Sequence, residues 1–109
     1  MTEQSQPILY VDDDSSLRDE ISLFLAGYKI SACETIGDGI ALATQQSFAL
    51  YLLNLSLPDG SGFSLCQKIR VFDLNTPIVV ISIHDSESYR KYALQAGAYG
   101  FWAKSGDLH

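Results

Sequence analysis

Four short apolar runs, each ending on a polar residue, constrain the fold of this chain more than any other feature. Ile8-Leu9-Tyr10-Val11 stops at Asp12-Asp13-Asp14, Phe48 to Leu53 stops at Asn54, Ile78 to Ile81 stops at Ser82, and Tyr99 to Ala103 stops at Lys104. Runs without polar alternation suit strands covered on both faces, which is the situation of a parallel sheet. The intervening segments read as helices. From Ser15 onward, Leu17, Ile21, Phe24, Leu25 and Tyr28 fall on one helical face, with Arg18, Asp19 and Glu20 outside and Gly27 near the stop. Lys29 to Cys33 is a weaker strand, and Gly39 to Ser47 is a small-residue helix starting around Gly37-Asp38-Gly39. Phe63, Cys66, Ile69 and Arg70 predict a further helix, and Thr76-Pro77 introduces the next strand. Ser86 caps a helix carrying Tyr89, Ala93, Leu94 and Ala96, closed by Gly97. The order βαβαβαβαβ predicts an α/β fold, a doubly wound parallel sheet with right-handed crossovers.

At 109 residues the chain has the size of one domain, expected over 1–109, and can bury a real core. Hydrophobic residues make up 47% and charged residues 18%, which excludes a disordered chain, and no apolar run is long enough to span a bilayer. Met1 to Pro7 has neither a basic start nor an apolar core, so it is not a signal peptide, and a cytoplasmic location is expected. The net charge of −6 disfavours direct nucleic-acid binding, since phosphate contacts need a basic face. Cys33 and Cys66 are far apart in sequence with no CxxC, and are expected as reduced, mostly buried thiols.

In open parallel sheets, ligands gather beyond the carboxyl ends of the strands. The polar residues obey this rule: the three aspartates, Asn54, Ser82 and Lys104 all stand at strand ends and point to one site. Each has a plainer reading. The aspartates could simply favour the following helix through its dipole, but that does not account for Ser82 and Lys104. His84 and Asp85 beside Ser82 do not make a hydrolytic triad, because adjacent residues at a strand end diverge; a solvated loop is expected. Tyr89, Arg90, Lys91 and Tyr92 read as the outer face of a helix.

Taken together, the segments ILYVDDD, LLNLSLPDGSG, PIVVIS and AGAYGFWAKS resemble, in order and spacing, the receiver domain of two-component response regulators over nearly the whole chain. The resemblance implies a flavodoxin-like five-stranded sheet in the order 2-1-3-4-5, with the final, fifth helix missing because the chain stops at His109. It also implies roles by position. Asp12 and Asp13 match the acidic pair that holds Mg²⁺, Asp13 directly and Asp12 through water. Asn54 matches the phosphoacceptor aspartate, and Ser56 the position whose backbone carbonyl completes the metal site. Ser82 matches the hydroxyl that contacts the phosphoryl group, Lys104 the lysine that pairs with it, and Phe101 the aromatic switch, although Phe101 also reads as core filler.

Asn54 breaks the pattern in a chemically decisive way. A carboxylate can attack phosphorus and form an acyl phosphate, with cationic groups stabilising the departing charge; an amide is too weak a nucleophile. The electrostatics change too. Two unit charges about 4 Å apart repel by about 4 kcal/mol at an effective dielectric near 20, so replacing one of three carboxylates by an amide lowers the need for a cation. Mg²⁺ binding is therefore expected to be weakened, with no cofactor obligatory. Ile83, where the family keeps a small residue, is expected to narrow access to the pocket. Ser105 replaces the usual proline after the lysine, and Phe101 lacks the hydroxyl of the commoner tyrosine, so altered switching is expected.

The resulting expectation is a non-enzymatic signalling domain, not phosphorylatable at Asn54, that works through protein contacts. Its partners would be a sensor histidine kinase or another signalling protein, a following output segment, or a second copy of itself across the sheet face that lacks a helix. Three readings of Asn54 stand: a natural pseudo-receiver, an engineered Asp-to-Asn change, or a deamidation site, the last disfavoured because Leu55 hinders succinimide closure. In the alternative function, Asp12 and Asp14 form the DxD motif of a Mg²⁺-dependent haloacid dehalogenase-type phosphohydrolase. Against it, the chain has no cap and no late acidic pair, Asp107 standing alone. A flavodoxin-like FMN carrier is disfavoured by the three aspartates, which would repel its phosphate.

Overall fold

A computed structural model describes residues 6–104. The elements run β1 (Pro7–Val11), α1 (Ser15–Phe24), β2 (Lys29–Cys33), α2 (Ile36–Gln45), β3 (Leu50–Asn54), β4 (Ser56–Leu57), β5 (Gly60–Ser61), α3 (Gly62–Arg70), β6 (Ile78–Ser82), α4 (Glu87–Ala96) and β7 (Gly100–Ala103). Five strands form one parallel sheet in the order β2-β1-β3-β6-β7, the order that the receiver resemblance implies, and β4 and β5 make a separate antiparallel pair. Four helices stand among the described residues, consistent with the expectation that the final helix is missing, and Ser105 lies outside the described residues.

The unbroken apolar strands divide their side chains between two cores. Leu9, Val11, Tyr51, Leu53, Ile78 and Val80 pack under α2, α3 and α4, whereas Ile8, Tyr10, Leu52 and Ile81 pack under α1 through Ile21. This two-sided burial is why the runs carry no polar alternation.

Local chemistry starts and stops the helices. Asp14, Thr35, Ser61 and Ser86 each accept a first-turn backbone N–H with the side chain. Gly97 ends α4 in the left-handed region at φ 106°, where any Cβ is disfavoured.

The structure corrects several expectations. Helix α1 stops at Phe24, and Phe24 and Tyr28 are 64% and 51% exposed rather than buried. The buried arc is centred on Ile21 and Leu25, which places Phe24 on its shoulder and Tyr28 in the following turn. Helix α2 starts at Ile36, before the glycines, because Asp59 reaches across from the β4–β5 turn and accepts from Ile36 N (2.8 Å) and Gly37 N (3.2 Å). Those hydrogen bonds hold the Asp59 carboxyl below its ordinary pKa. The β4–β5 hairpin was absent from the expected order, and Cys33 is only half-buried whereas Cys66 is buried. Tyr89 is not on the outer face: its ring packs edge-on against Phe63 and at a tilt against Phe101.

Candidate functional site

The parallel register brings the ends of β1, β3, β6 and β7 side by side. Asn54 lies opposite Ile81, Ser82 opposite Ala103, and Lys104 N donates to Ser82 O at 2.7 Å. The four strand ends surround a cavity of about 450 Å³ lined by Asp12, Asp13, Asn54, Ser56, Ser82 and Lys104, among others. Every site residue expected from the sequence except Phe101 therefore meets in one place. Phe101 reaches it indirectly, against Tyr89, which lines the cavity.

Beneath the cavity floor runs a buried hydrogen-bond chain. Asp12 is fully buried, and its Oδ2 accepts from the Tyr10 hydroxyl at 2.8 Å and from Lys104 Nζ at 3.4 Å, while Oδ1 accepts from Asp14 N at 3.0 Å. Lys104 Nζ also donates to Asn54 Oδ1 at 2.9 Å, and Asn54 Nδ2 donates to the Ser56 carbonyl at 2.6 Å. The amide's orientation is fixed by its partners, because an ammonium only donates and a carbonyl only accepts. Lys104 is 7% exposed and Asn54 8%, so these bonds form away from bulk water, where they are strongest. Burial, together with the Asp12 charge and hydrogen bond, pushes the Tyr10 hydroxyl pKa well up, so Tyr10 stays a donor.

The remaining residues divide by role. Asp13 lines the cavity with an exposed side chain. Asp14 caps α1, Oδ1 accepting from Leu17 N at 3.1 Å, so the helix-capping reading holds for this one aspartate. Ser82 Oγ accepts from His84 N at 3.1 Å, which keeps its proton free to donate toward the cavity. Ile83 stands at the cavity wall, 57% exposed. His84 and Asp85 are exposed, and Asp85 pairs with Arg90 at 2.8 Å. The Arg90 guanidinium in turn lies 5.4 Å over the Phe101 ring, a cation–π contact.

Tyr10 escaped sequence reasoning because it sits inside an apolar run. Strand alternation is the signal that could have found it: residues two apart share a face, so Tyr10 is placed under Asp12. Arg18 was read as an outside residue, yet its Nη1 donates to the Asp12 backbone carbonyl at 2.6 Å.

As arranged, these residues do not fit the Mg²⁺ site that the fold implies. The Asp12 oxygens and the Ser56 carbonyl already accept from protein donors and Asn54 is a neutral amide, so of the acidic pair only Asp13 keeps its carboxylate exposed at the cavity.

A parallel doubly wound sheet with an acidic pair, a hydroxyl and a lysine at adjacent strand ends is the arrangement that the resemblance to receiver domains implies. The chain belongs to the response regulator receiver domain family, whose residue pattern matches residues 8–109. Curated relatives include the response regulator protein PilR of Pseudomonas aeruginosa, 32% identical over 94% of this chain and 24% of PilR. The transcriptional regulatory protein GltR of the same organism is 30% identical over 95% of this chain and 45% of GltR. The chain thus spans less than half the length of these relatives. Among solved structures, a CheY-like receiver domain protein from Methanospirillum hungatei superposes with a TM-score of 0.84 at 27% identity, covering 96% of this chain and 86% of that one. Family membership leaves the haloacid dehalogenase reading of Asp12 and Asp14 without support. No helix among the described residues is long and apolar enough to cross a membrane.

Proposed function

We propose that this chain is a receiver domain silent toward phosphoryl transfer, in which Asn54 occupies the phosphoacceptor position and signalling proceeds through protein contacts. One observation carries the reading: Asn54 presents its carbonyl oxygen to Lys104 at 2.9 Å at the heart of the strand-end site, where a nucleophilic carboxylate would be needed. The amide lone pair is delocalised, and its oxygen does not displace a leaving group from phosphorus. With no nucleophile there, the domain is not an enzyme. It is a cytoplasmic binding module whose partners are a sensor histidine kinase or another signalling protein, a covalently attached output segment, or a second copy. Its net charge of −6 favours protein partners over nucleic acid.

Incubation with radiolabelled acetyl phosphate and Mg²⁺ tests this, with the chain and its Asn54→Asp variant side by side. In the variant a carboxylate oxygen bonds to phosphorus and acetate departs. Label on the variant alone is the expected result. Acid-labile label on the unaltered chain would sink the proposal.

A further inference from the structure

We infer that the pocket is built to stand without a divalent cation, its own donors already engaging the Asp12 carboxylate, the Asn54 oxygen and the Ser56 carbonyl: the Tyr10 hydroxyl, the Lys104 ammonium and the Asn54 amide. The inference rests on the reading of Asn54 above and extends it to residues that reading does not use.

Three contacts carry it. The Ser56 carbonyl accepts the Asn54 amide at 2.6 Å, so a nitrogen carrying protons, not a second oxygen, faces that carbonyl. The opposite end of the same amide takes the Lys104 ammonium at 2.9 Å. Only an amide satisfies both neighbours, because a carboxylate would set one oxygen against the Ser56 carbonyl oxygen. Tyr10 supplies the third contact. It is fully buried in the core beneath α1, and its hydroxyl holds Asp12 Oδ2 at 2.8 Å, turning that carboxylate toward Lys104 and into the protein. With Asp14 N on Oδ1, every Asp12 oxygen already accepts at least one hydrogen bond. No buried side-chain polar atom among the described residues lacks a partner, so of the acidic pair only the exposed Asp13 carboxylate is left to face a cation. Tyr10 is thus a positioning residue: it acts on the site through Asp12.

Replacing Asn54 by aspartate removes the internal donor and leaves two oxygens facing each other, which a divalent cation relieves. Replacing Tyr10 by phenylalanine in addition frees an Asp12 oxygen without changing the packed volume. Outer partners of this kind typically alter metal affinity about 10- to 100-fold.

Isothermal titration with Mg²⁺, with Trp102 fluorescence as a second readout, compares the chain, Tyr10→Phe, Asn54→Asp and the double variant, each checked for folding by circular dichroism. The unaltered chain and Tyr10→Phe should bind only weakly. Asn54→Asp should bind measurably more tightly, and the double variant about 10-fold tighter again. In parallel, the Asn54 side-chain amide protons of the unaltered chain should show slow exchange in nuclear magnetic resonance spectra and stay unmoved by Mg²⁺. Mg²⁺ binding by the unaltered chain as tight as by Asn54→Asp would overturn the inference, as would Mg²⁺-induced shifts of those amide protons. Neither result bears on whether the amide can be phosphorylated, which the acetyl phosphate experiment decides separately.

Discussion

Replacing Lys104 by methionine should be among the most damaging single changes this domain can suffer without altering its core volume. Lys104 and Asp12 form an ion pair at 3.4 Å with side chains 5% and 0% exposed. Taking away one partner of such a pair leaves an uncompensated buried charge, which typically costs 3–5 kcal/mol, far more than the net worth of the intact pair. Asn54 Oδ1 loses its donor in the same stroke, adding about 1 kcal/mol. Domains of this size have total stabilities of roughly 5–15 kcal/mol and lose about 4–8 °C of Tm per kcal/mol, so a fall of roughly 15–50 °C is expected. Urea denaturation followed by Trp102 fluorescence, together with thermal melts, measures it. A second variant, Lys104→Met with Asp12→Asn, removes the stranded charge; the amide keeps one oxygen to accept from Asp14 N, and its NH2 can donate to the Tyr10 hydroxyl oxygen. It should recover half or more of the loss. A loss below about 1 kcal/mol in the single variant, in the range of exposed pairs, would refute the reasoning. So would a double variant no more stable than the single.

Other consequences follow from the geometry around the site. Gly62→Ala would place a Cβ 2.5 Å from the Asn54 carbonyl oxygen, a backbone atom that cannot step aside, so a loss of about 2 kcal/mol or more in urea midpoint experiments is expected. Gly97→Ala forces a side chain to φ 106° and should cost about 1 kcal/mol on the same assay. For Asp73, burial raises the carboxyl pKa, but hydrogen bonds from Thr76, Asn75 and Tyr51 overcome it and hold the value at about 2, against an ordinary 3.8. Because this pKa is depressed on folding, the stabilisation is fully present above pH 3.8 and is lost as pH falls toward about 2. The stability difference between the chain and Asp73→Asn should therefore shrink across that window; a difference flat with pH would count against it.

The parts of this fold visible in the sequence were those whose cause is local. Ile8 to Val11 and Ile78 to Ile81 announce buried strands because sandwiching between helices removes polar alternation, and Ser86 and Gly97 mark α4 because caps act within a turn. The start of α2 was misplaced although Thr35 caps it within a turn; the carboxylate that also holds its first N–H groups, Asp59, lies 23 residues from Ile36. Phe24 was misjudged because which arc of α1 is buried depends on the sheet beneath it.

The candidate site divides along the same line. Asp12, Asp13, Asn54, Ser82 and Lys104 could be assembled from sequence, because strand ends of a doubly wound sheet converge whatever the side chains do. That Asn54 lacks a nucleophile was also legible, since it depends on one functional group. The sequence could not show that Tyr10 faces Asp12 at 2.8 Å, or that the Asn54 amide reaches the Ser56 carbonyl at 2.6 Å. Hydrogen bonds fade within fractions of an ångström, and only the packed tertiary structure sets side chains to that tolerance. By itself the sequence determined that an amide, Asn54, stands at the end of the central strand; the tertiary structure decided which partners hold it, because their positions depend on the packing of distant segments.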